Sequence, residues 1–337
     1  MPLVSVIVPN YNHAPFLRQR LDSIYNQTFQ DFEVIILDDC STDNSKEIIE
    51  EYRNHPKTSH IVYNKDNSGS PFKQWAKGFD IAQGEYIWIA ESDDWAKLDF
   101  LEKLYPVIEK DSSLSLVFSS SLIIQHNSKH PITAYSKSKK IDGKRFIKTK
   151  MILTNTIINA SAVLFRKSKI ETIPTDYQEY KGAGDCLFWI HLCESGNVFF
   201  LLEPLNFFRK HERSTTHGCL TDGIVFIESR KINRYLRTKK YISFDKQLIL
   251  TALKIQMIKE LKRSHSFSQE VDLKHLLKIW GADNILFYLK NKITWIIILL
   301  KKLFFLKKTR IAEDSLNEKI SNLTLKYIAW TIIGWPY

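Results

Sequence analysis

Val4-Ser5-Val6-Ile7-Val8-Pro9-Asn10-Tyr11-Asn12, and after it Phe32-Glu33-Val34-Ile35-Ile36-Leu37-Asp38-Asp39, decide how this chain reads. The first is a short β-branched run stopped by Pro9, and the second an apolar run stopped by an acidic pair; both read as buried strands. Between them Phe16 to Gln27 carries Phe16, Leu17, Leu21, Ile24 and Tyr25 near helical spacing. The alternation continues outward: a helix over Ser45 to Tyr52, a strand at Ile61-Val62-Tyr63, a helix from Phe72 to Ala82 before Gly84, and a strand from Glu85 to Ala90 that runs into Glu91-Ser92-Asp93-Asp94. Strand–helix alternation predicts a parallel sheet covered by helices.

Further on, Gln125 to Lys150 is rich in Ser and Lys with little periodicity and reads as an exposed loop or a variable insertion. Ala160 to Phe165 predicts another strand and Asp185 to Glu194 another helix. Past residue 220 Gly and Pro become rare, and helical patterns cover Ile224 to Leu236 and Gln247 to Leu261. The 337 residues suffice for about two domains at roughly 150 residues each.

Composition excludes several classes. Hydrophobic residues are 44% and charged residues 25%, as in a globular protein, and 11 glycines with 10 prolines leave no room for a collagen-like or low-complexity chain. The net charge of +11 is unevenly spread: residues 1–205 carry −3 and residues 206–337 carry +14. Such a basic half suits an anionic partner: phospholipid, nucleic acid or a phosphorylated substrate. Cys40, Cys186, Cys193 and Cys219 follow neither a zinc pattern nor a disulfide framework, which predicts a reducing compartment. The first residues lack the basic and apolar regions of a signal peptide, and no run of about 18 apolar residues occurs.

Two acidic pairs, Asp38-Asp39 and Asp93-Asp94, close two strands, and in open α/β sheets ligands bind outside the carboxyl ends of strands. A single Asp there is ordinarily a turn former or a helix cap. Two pairs facing one crevice repel each other unless a cation or donors compensate. A hard divalent ion, Mg²⁺ or Mn²⁺, carrying a nucleoside diphosphate fits such carboxylates. Phosphate-binding loops of the G-x-x-x-x-G-K-[ST] and G-x-G-x-x-G kinds are missing, as are H-E-x-x-H and G-x-S-x-G.

The blocks Val4 to Asn12, Ser23-Ile24-Tyr25-Asn26-Gln27-Thr28-Phe29, Phe32 to Asp43, Gly84-Glu85-Tyr86-Ile87 and Glu91 to Asp94 together resemble family 2 glycosyltransferases, strongly over residues 3–100 and moderately to about 216. The resemblance implies an α/β GT-A fold, a Rossmann-like mixed sheet flanked by helices that binds a nucleotide-sugar, with a catalytic domain over 1–218 and a basic helical extension over 219–337. It implies an inverting, metal-dependent transfer from a nucleotide-sugar, a UDP-sugar favoured, to a hydroxyl of a glycan or lipid-linked glycan. Carried over by position, Pro9, Tyr11 and Asp39 hold the base, with Tyr11 stacking and Asp39 accepting a ring N–H; Asp93 approaches the ribose and Asp94 coordinates Mg²⁺ or Mn²⁺. Asp185 is the base that deprotonates the acceptor, with Gly184 standing where the family has Glu. His211, in Arg209-Lys210-His211-Glu212-Arg213-Ser214, reaches the metal or diphosphate, and Arg209 or Arg213 supplies positive charge. Lys73 neutralises diphosphate or is a solvated helix lysine. Cys40 replaces the family's usual Gly, and Glu91 replaces an Asp, which leaves Glu91 behind the ligand shell.

In the basic part, Thr294-Trp295-Ile296-Ile297-Ile298-Leu299-Leu300 is interrupted by Lys301-Lys302 and, after Leu303-Phe304-Phe305-Leu306, by Lys307-Lys308. This fits a helix lying in an anionic membrane interface, or one packed on the catalytic domain or a second subunit. The expected location is cytoplasmic, peripheral on the inner face of the membrane. Two other readings compete: a sugar nucleotidyltransferase, which needs a Gly-rich, Arg-containing loop where Pro9-Asn10-Tyr11-Asn12 stands, and a nucleic-acid binder driven by the +14 segment, for which no motif is present.

Overall fold

The computed structural model describes residues 1–281 except His126, Asn127 and Thr154. The apolar segment at 294–308 and the terminal aromatics lie outside the described residues. The chain forms two compact units, one of residues 1–147 with 157–215, the other of residues 148–156 with the chain from 216 onward.

The first unit is built on one mixed sheet. Its first strands are β1 (Val4–Asn10), β2 (Phe32–Asp38), β3 (Thr58–Tyr63) and β4 (Tyr86–Ile89), joined by helices α1 (Ala14–Tyr25), α2 (Ser45–Glu51) and α3 (Pro71–Ile81). β1 pairs in parallel with β2, from Val4 opposite Phe32 to Asn10 opposite Asp38, and with β4 on its other side. Every residue of β1, β2 and β4 is buried, which is why these strands read as continuous apolar runs rather than alternating ones. The expected parallel half of the sheet is therefore present.

Beyond it come β5 (Trp95–Ala96), α4 (Phe100–Glu109), β6 (Leu114–Gln125), β7 (Ser128–Ile132), β8 (Lys139–Ile141), α5 (Gly143–Phe146), β9 (Val163–Arg166), α6 (Gly184–Glu194) and β10 (Asn197–Arg209). The sheet runs β3-β2-β1-β4-β9-β6-β10-β5, with β7 on β6 and β8 on β10. β9 runs antiparallel to β4 and β6, so the sheet is mixed. The stretch 125–150 is not one loop: β7 is an exposed edge strand, but β8 pairs with β10, and Ile141, Phe146 and Ile147 are buried. Its Ser and Lys residues line the exposed side of paired backbone, which hides the strands from a periodicity reading.

Motif residues shape this scaffold before they shape any site. A Cβ on Gly84 would lie 2.5 Å from the Ser5 backbone nitrogen, so the turn into β4 closes against β1 only with glycine there. Its N–H donates to Ser5 Oγ, which in turn donates to the buried Glu33 carboxylate. Cys40 stands at φ +65°, the left-handed region, which explains a family preference for glycine at that turn.

The second unit carries α7 (Thr215–Thr221), α8 (Ile224–Thr238), α9 (Phe244–Arg263) and α10 (Leu273–Ile279). Phe226, Ile258, Leu276 and Trp280 form its core. Among the described residues no helix is long and apolar enough to cross a membrane.

Candidate active site

The site lies in the first unit, where the chain leaves the C-terminal ends of β1, β2 and β4. After β4 the segment Glu91 to Asp94 turns back, with Asp94 N–H donating to Glu91 O, and β5 then pairs antiparallel with β10, Trp95 opposite Phe207. That short pairing carries residues 209–211 to the acidic turn, more than a hundred positions away in sequence.

The two aspartates of the turn have different surroundings. Asp94 is fully buried. Its Oδ1 accepts from the Arg209 N–H at 2.9 Å, and its Oδ2 from Asn159 Nδ2 and Ser161 Oγ, both at 2.8 Å. Asp93 faces the crevice: its Oδ2 lies 3.0 Å from His211 Nε2, and His13 completes a group of three possible ligand atoms within 4.8 Å of one another. The sequence expectation set the ion at Asp94 and the ribose at Asp93; the structure surrounds Asp94 with protein donors and brings Asp93 to the histidines.

The electrostatics follow this division. Burial works to raise Asp93, but the hydrogen bond from His211 and the charges of His13 and His211 outweigh it and hold the carboxyl below its usual range. Burial, and then the charge of Asp93, push Asp94 upward. Glu91, half-buried and accepting from Trp75 Nε1 at 2.9 Å, is pushed up to about 8 by burial and by Asp93. Burial lowers His13, favouring the neutral imidazole that a metal ligand requires. His13 spends Nδ1 on Ser92 Oγ at 2.8 Å, and His211 Nδ1 is buried without a hydrogen-bond partner among the described residues. Two imidazoles, one left with an unpartnered nitrogen, and one low-lying carboxylate fit a divalent first-row ion; the donor set suits Mn²⁺ better than the all-oxygen preference of Mg²⁺.

The second acidic pair is likewise divided. Asp38 is buried and holds Asn10 Nδ2 and the Ser41 N–H. Asp39, also buried, accepts from Asn64 Nδ2, Ser68 N–H and Gln74 Nε2 on Oδ1, but only from Ser68 Oγ on Oδ2, so its free acceptor capacity is on Oδ2. Tyr11 is 45% exposed beside this turn. Pro9 is buried inside β1 opposite Leu37. Lys73 is exposed on α3 and donates to Ser68 O at 3.2 Å, close to the Asp39 cluster.

Asp185 lies in the first turn of α6 and is not its cap, which is Ala183. A helix places Asp185, Phe188 and Trp189 on one face. Trp75 packs against both Phe188 and Trp189, with centroids 5.7 and 5.9 Å away, while its indole N–H holds Glu91. The face of α6 that bears Asp185 is thus fastened to the acidic turn. A Cβ on residue 184 would lie 2.5 Å from the Phe72 ring and 2.6 Å from Tyr177 O, so Gly184 replaces the family's Glu for reasons of space.

Arg209 is engaged with the acidic turn and the first helix. Its guanidinium donates to Asp93 O and to Gln19 Oε1, and lies between the rings of Phe16 and Trp95, 4.4 and 4.6 Å from their centroids. It clamps the acidic turn. Arg213 is exposed on the following loop. The sequence reading missed His13, Asn159 and Ser161. His13 sits just past the Asn-Tyr-Asn turn, a position that flags it; Asn159 and Ser161 carry no local signal.

The description "Glycosyl transferase family 2" matches residues 5–172. The glycosyltransferase TuaG of Bacillus subtilis, named for teichuronic acid biosynthesis, is 30% identical over 195 residues, 58% of this chain and 73% of that protein. The poly(ribitol-phosphate) beta-N-acetylglucosaminyltransferase TarS of Staphylococcus aureus is 36% identical over 113 residues, 32% of this chain but 19% of that protein. The crystal structure of TarS 1-349 in complex with UDP-GlcNAc superposes with a TM-score of 0.62 at 23% identity, covering 84% of this chain and 80% of that one. The fold is that of the GT-A transferases. The chain belongs to glycosyltransferase family 2 and is a glycosyltransferase.

Proposed function

We propose that this glycosyltransferase moves a sugar from a nucleoside-diphosphate sugar, a UDP-sugar favoured, to a hydroxyl of a glycan or lipid-linked glycan by single inverting displacement. The observation that carries the reading is the convergence of His13, Asp93 and His211 at the acidic turn. These three residues hold a divalent ion, Mn²⁺ rather than Mg²⁺. When bound, the ion offsets the charge that builds on the departing diphosphate.

The remaining work belongs to the chain. Tyr11 stacks on the base, and Asp39 accepts a ring N–H on Oδ2. Lys73 and Arg213 add positive charge near the phosphates. Asp185 takes the proton of the attacking hydroxyl, so that the acceptor oxygen bonds to the anomeric carbon as the diphosphate leaves. Arg209, Asn159 and Ser161 hold the acidic turn in place. The UDP-GlcNAc bound by TarS and the polymer named for TuaG support the choice of donor and acceptor class. The lysine-interrupted apolar sequence at 294–308 supports an acceptor presented at an anionic membrane surface, on its cytoplasmic side.

The test is a thermal-shift screen of UDP-, GDP- and dTDP-sugars with Mn²⁺ or EDTA, followed by turnover of the best donor. One donor should stabilise the protein only with the ion, and Asp185→Asn should retain that shift while losing transfer. Stabilisation indifferent to EDTA removes the ion from the reading; normal turnover by Asp185→Asn removes the base.

A further inference from the structure

Ser70 stands at the N-cap of α3, where a serine side chain ordinarily accepts a helix N–H, yet its Oγ makes no such bond. It donates instead to Tyr180 O at 2.7 Å, a bond between buried groups 110 positions apart in sequence. Tyr180 follows the 3-10 turn Asp176–Glu179, and Gly184 opens α6 just beyond it. The junction has little slack: the Tyr177 ring lies 5.0 Å from Phe188, and the space at Gly184 is filled by Tyr177 O and by the ring of Phe72, in the first turn of α3. At its other end the same loop holds Asp39. Ser68 Oγ donates to Asp39 Oδ2 at 2.8 Å, has Ser70 O at 3.1 Å, and accepts from the Ser70 N–H at 3.4 Å. A hydroxyl has one proton, and the charged carboxylate is the stronger acceptor for it.

We infer that Ser70 is a positioning residue that couples nucleotide occupancy at Asp39 to the first turn of α6, where Asp185 stands. A base N–H arriving on Asp39 Oδ2 competes with the Ser68 hydroxyl for that oxygen. The displaced proton has Ser70 O as its next acceptor, which draws the two serines together. Ser70 passes the change through Oγ to Tyr180 and so to the junction with α6. The inference rests on the proposed roles of Asp39 and Asp185 and goes beyond them: the donor's base is read before the group that activates the acceptor is set.

The experiment uses the full chain as wild type, Ser70→Ala, Ser70→Thr and Ser68→Ala, with UDP, GDP and dTDP as separate probes in Mn²⁺. Hydrogen–deuterium exchange is followed in peptides over 64–74 and 176–190, and nucleotide affinity by calorimetry. In wild type one nucleotide should slow exchange in both regions, by about fivefold in the second, the effect of one added hydrogen bond. Ser70→Ala should bind that nucleotide within about twofold of wild type and keep the protection of 64–74, but lose that of 176–190. Ser70→Thr, which keeps the hydroxyl, should restore it. Ser68→Ala cuts the route at its other end and leaves the Ser70 hydroxyl in place; it should lose the remote protection too, so the test survives a Ser70→Ala that does not fold. Remote protection that persists in either alanine variant, or is missing in a wild type whose 64–74 region is protected, overturns the inference while the base site stands. If no nucleotide protects 64–74 in wild type, Asp39 is not the base site and the coupling falls with it.

Discussion

Exchanging one carboxylate oxygen for an amide nitrogen at Asp93 or at Asp94 separates the two jobs assigned to the acidic turn. At Asp94 both carboxylate oxygens accept from protein donors. An asparagine can keep its oxygen toward Asn159 and Ser161 only by turning its NH₂ on the Arg209 N–H. One charge-assisted bond is lost, worth about 1.5–3 kcal/mol, and two buried donors are left facing each other. A total near 3 kcal/mol is expected, which at about 2–4 °C per kcal/mol for a unit of this size lowers the melting temperature by roughly 6–12 °C. At Asp93 the side chain is 14% exposed and its protein partner is His211, toward which an asparagine oxygen can still point. A cost of about 1 kcal/mol is expected, a few degrees at most. Differential scanning fluorimetry of both variants with and without Mn²⁺ is the assay. Asp94→Asn should be unstable yet still respond to Mn²⁺, and Asp93→Asn should be stable and unresponsive. The reverse pattern, a stable Asp94→Asn that no longer senses Mn²⁺, refutes the assignment of the ion to Asp93.

Three further outcomes are expected. Cys40→Gly relieves the left-handed strain at φ +65° and should raise the melting temperature by about 1 kcal/mol worth, a few degrees, with donor binding retained; destabilisation would show that the contact of Sγ with Lys65 O outweighs the strain. Tyr11→Ala removes an exposed ring and should leave stability unchanged while weakening donor binding by about 1–3 kcal/mol, measured calorimetrically; unaltered affinity argues against base stacking. A carboxyl held protonated more tightly in the folded state stabilises the fold below its unfolded value and loses that contribution as the pH climbs through the folded one. With Glu91 pushed up to about 8, the melting temperature in EDTA should fall as pH rises from about 5 to about 8, and Glu91→Gln should flatten the slope; a wild-type profile that rises over this range contradicts the burial effect.

The strands that the first hundred residues announce are present because they are buried on both faces, and such strands must be apolar whatever surrounds them. The ends of these strands, with their acidic pairs, were legible for the same reason: a run of Val and Ile that stops at Asp marks where the chain leaves the sheet. β6, β7, β8 and β10 were not, since Ser, Lys and Asn residues fill their exposed or paired positions and β10 is broken by register shifts around Pro204.

The sequence alone determined that acids close two strands of a helix-covered sheet, because strand periodicity and turn chemistry are local, and its motif blocks carried the resemblance to family 2 glycosyltransferases. Only the tertiary structure decided which acid of each pair faces the crevice. Asp93 and Asp94 are adjacent and chemically identical, and what distinguishes them are donors and histidines from distant segments: Asn159, Ser161 and Arg209 enclosing one, His13 and His211 meeting the other. The sheet brings these groups together through the two-residue pairing of β5 with β10, and a contact of that range leaves no trace in the local pattern of residues.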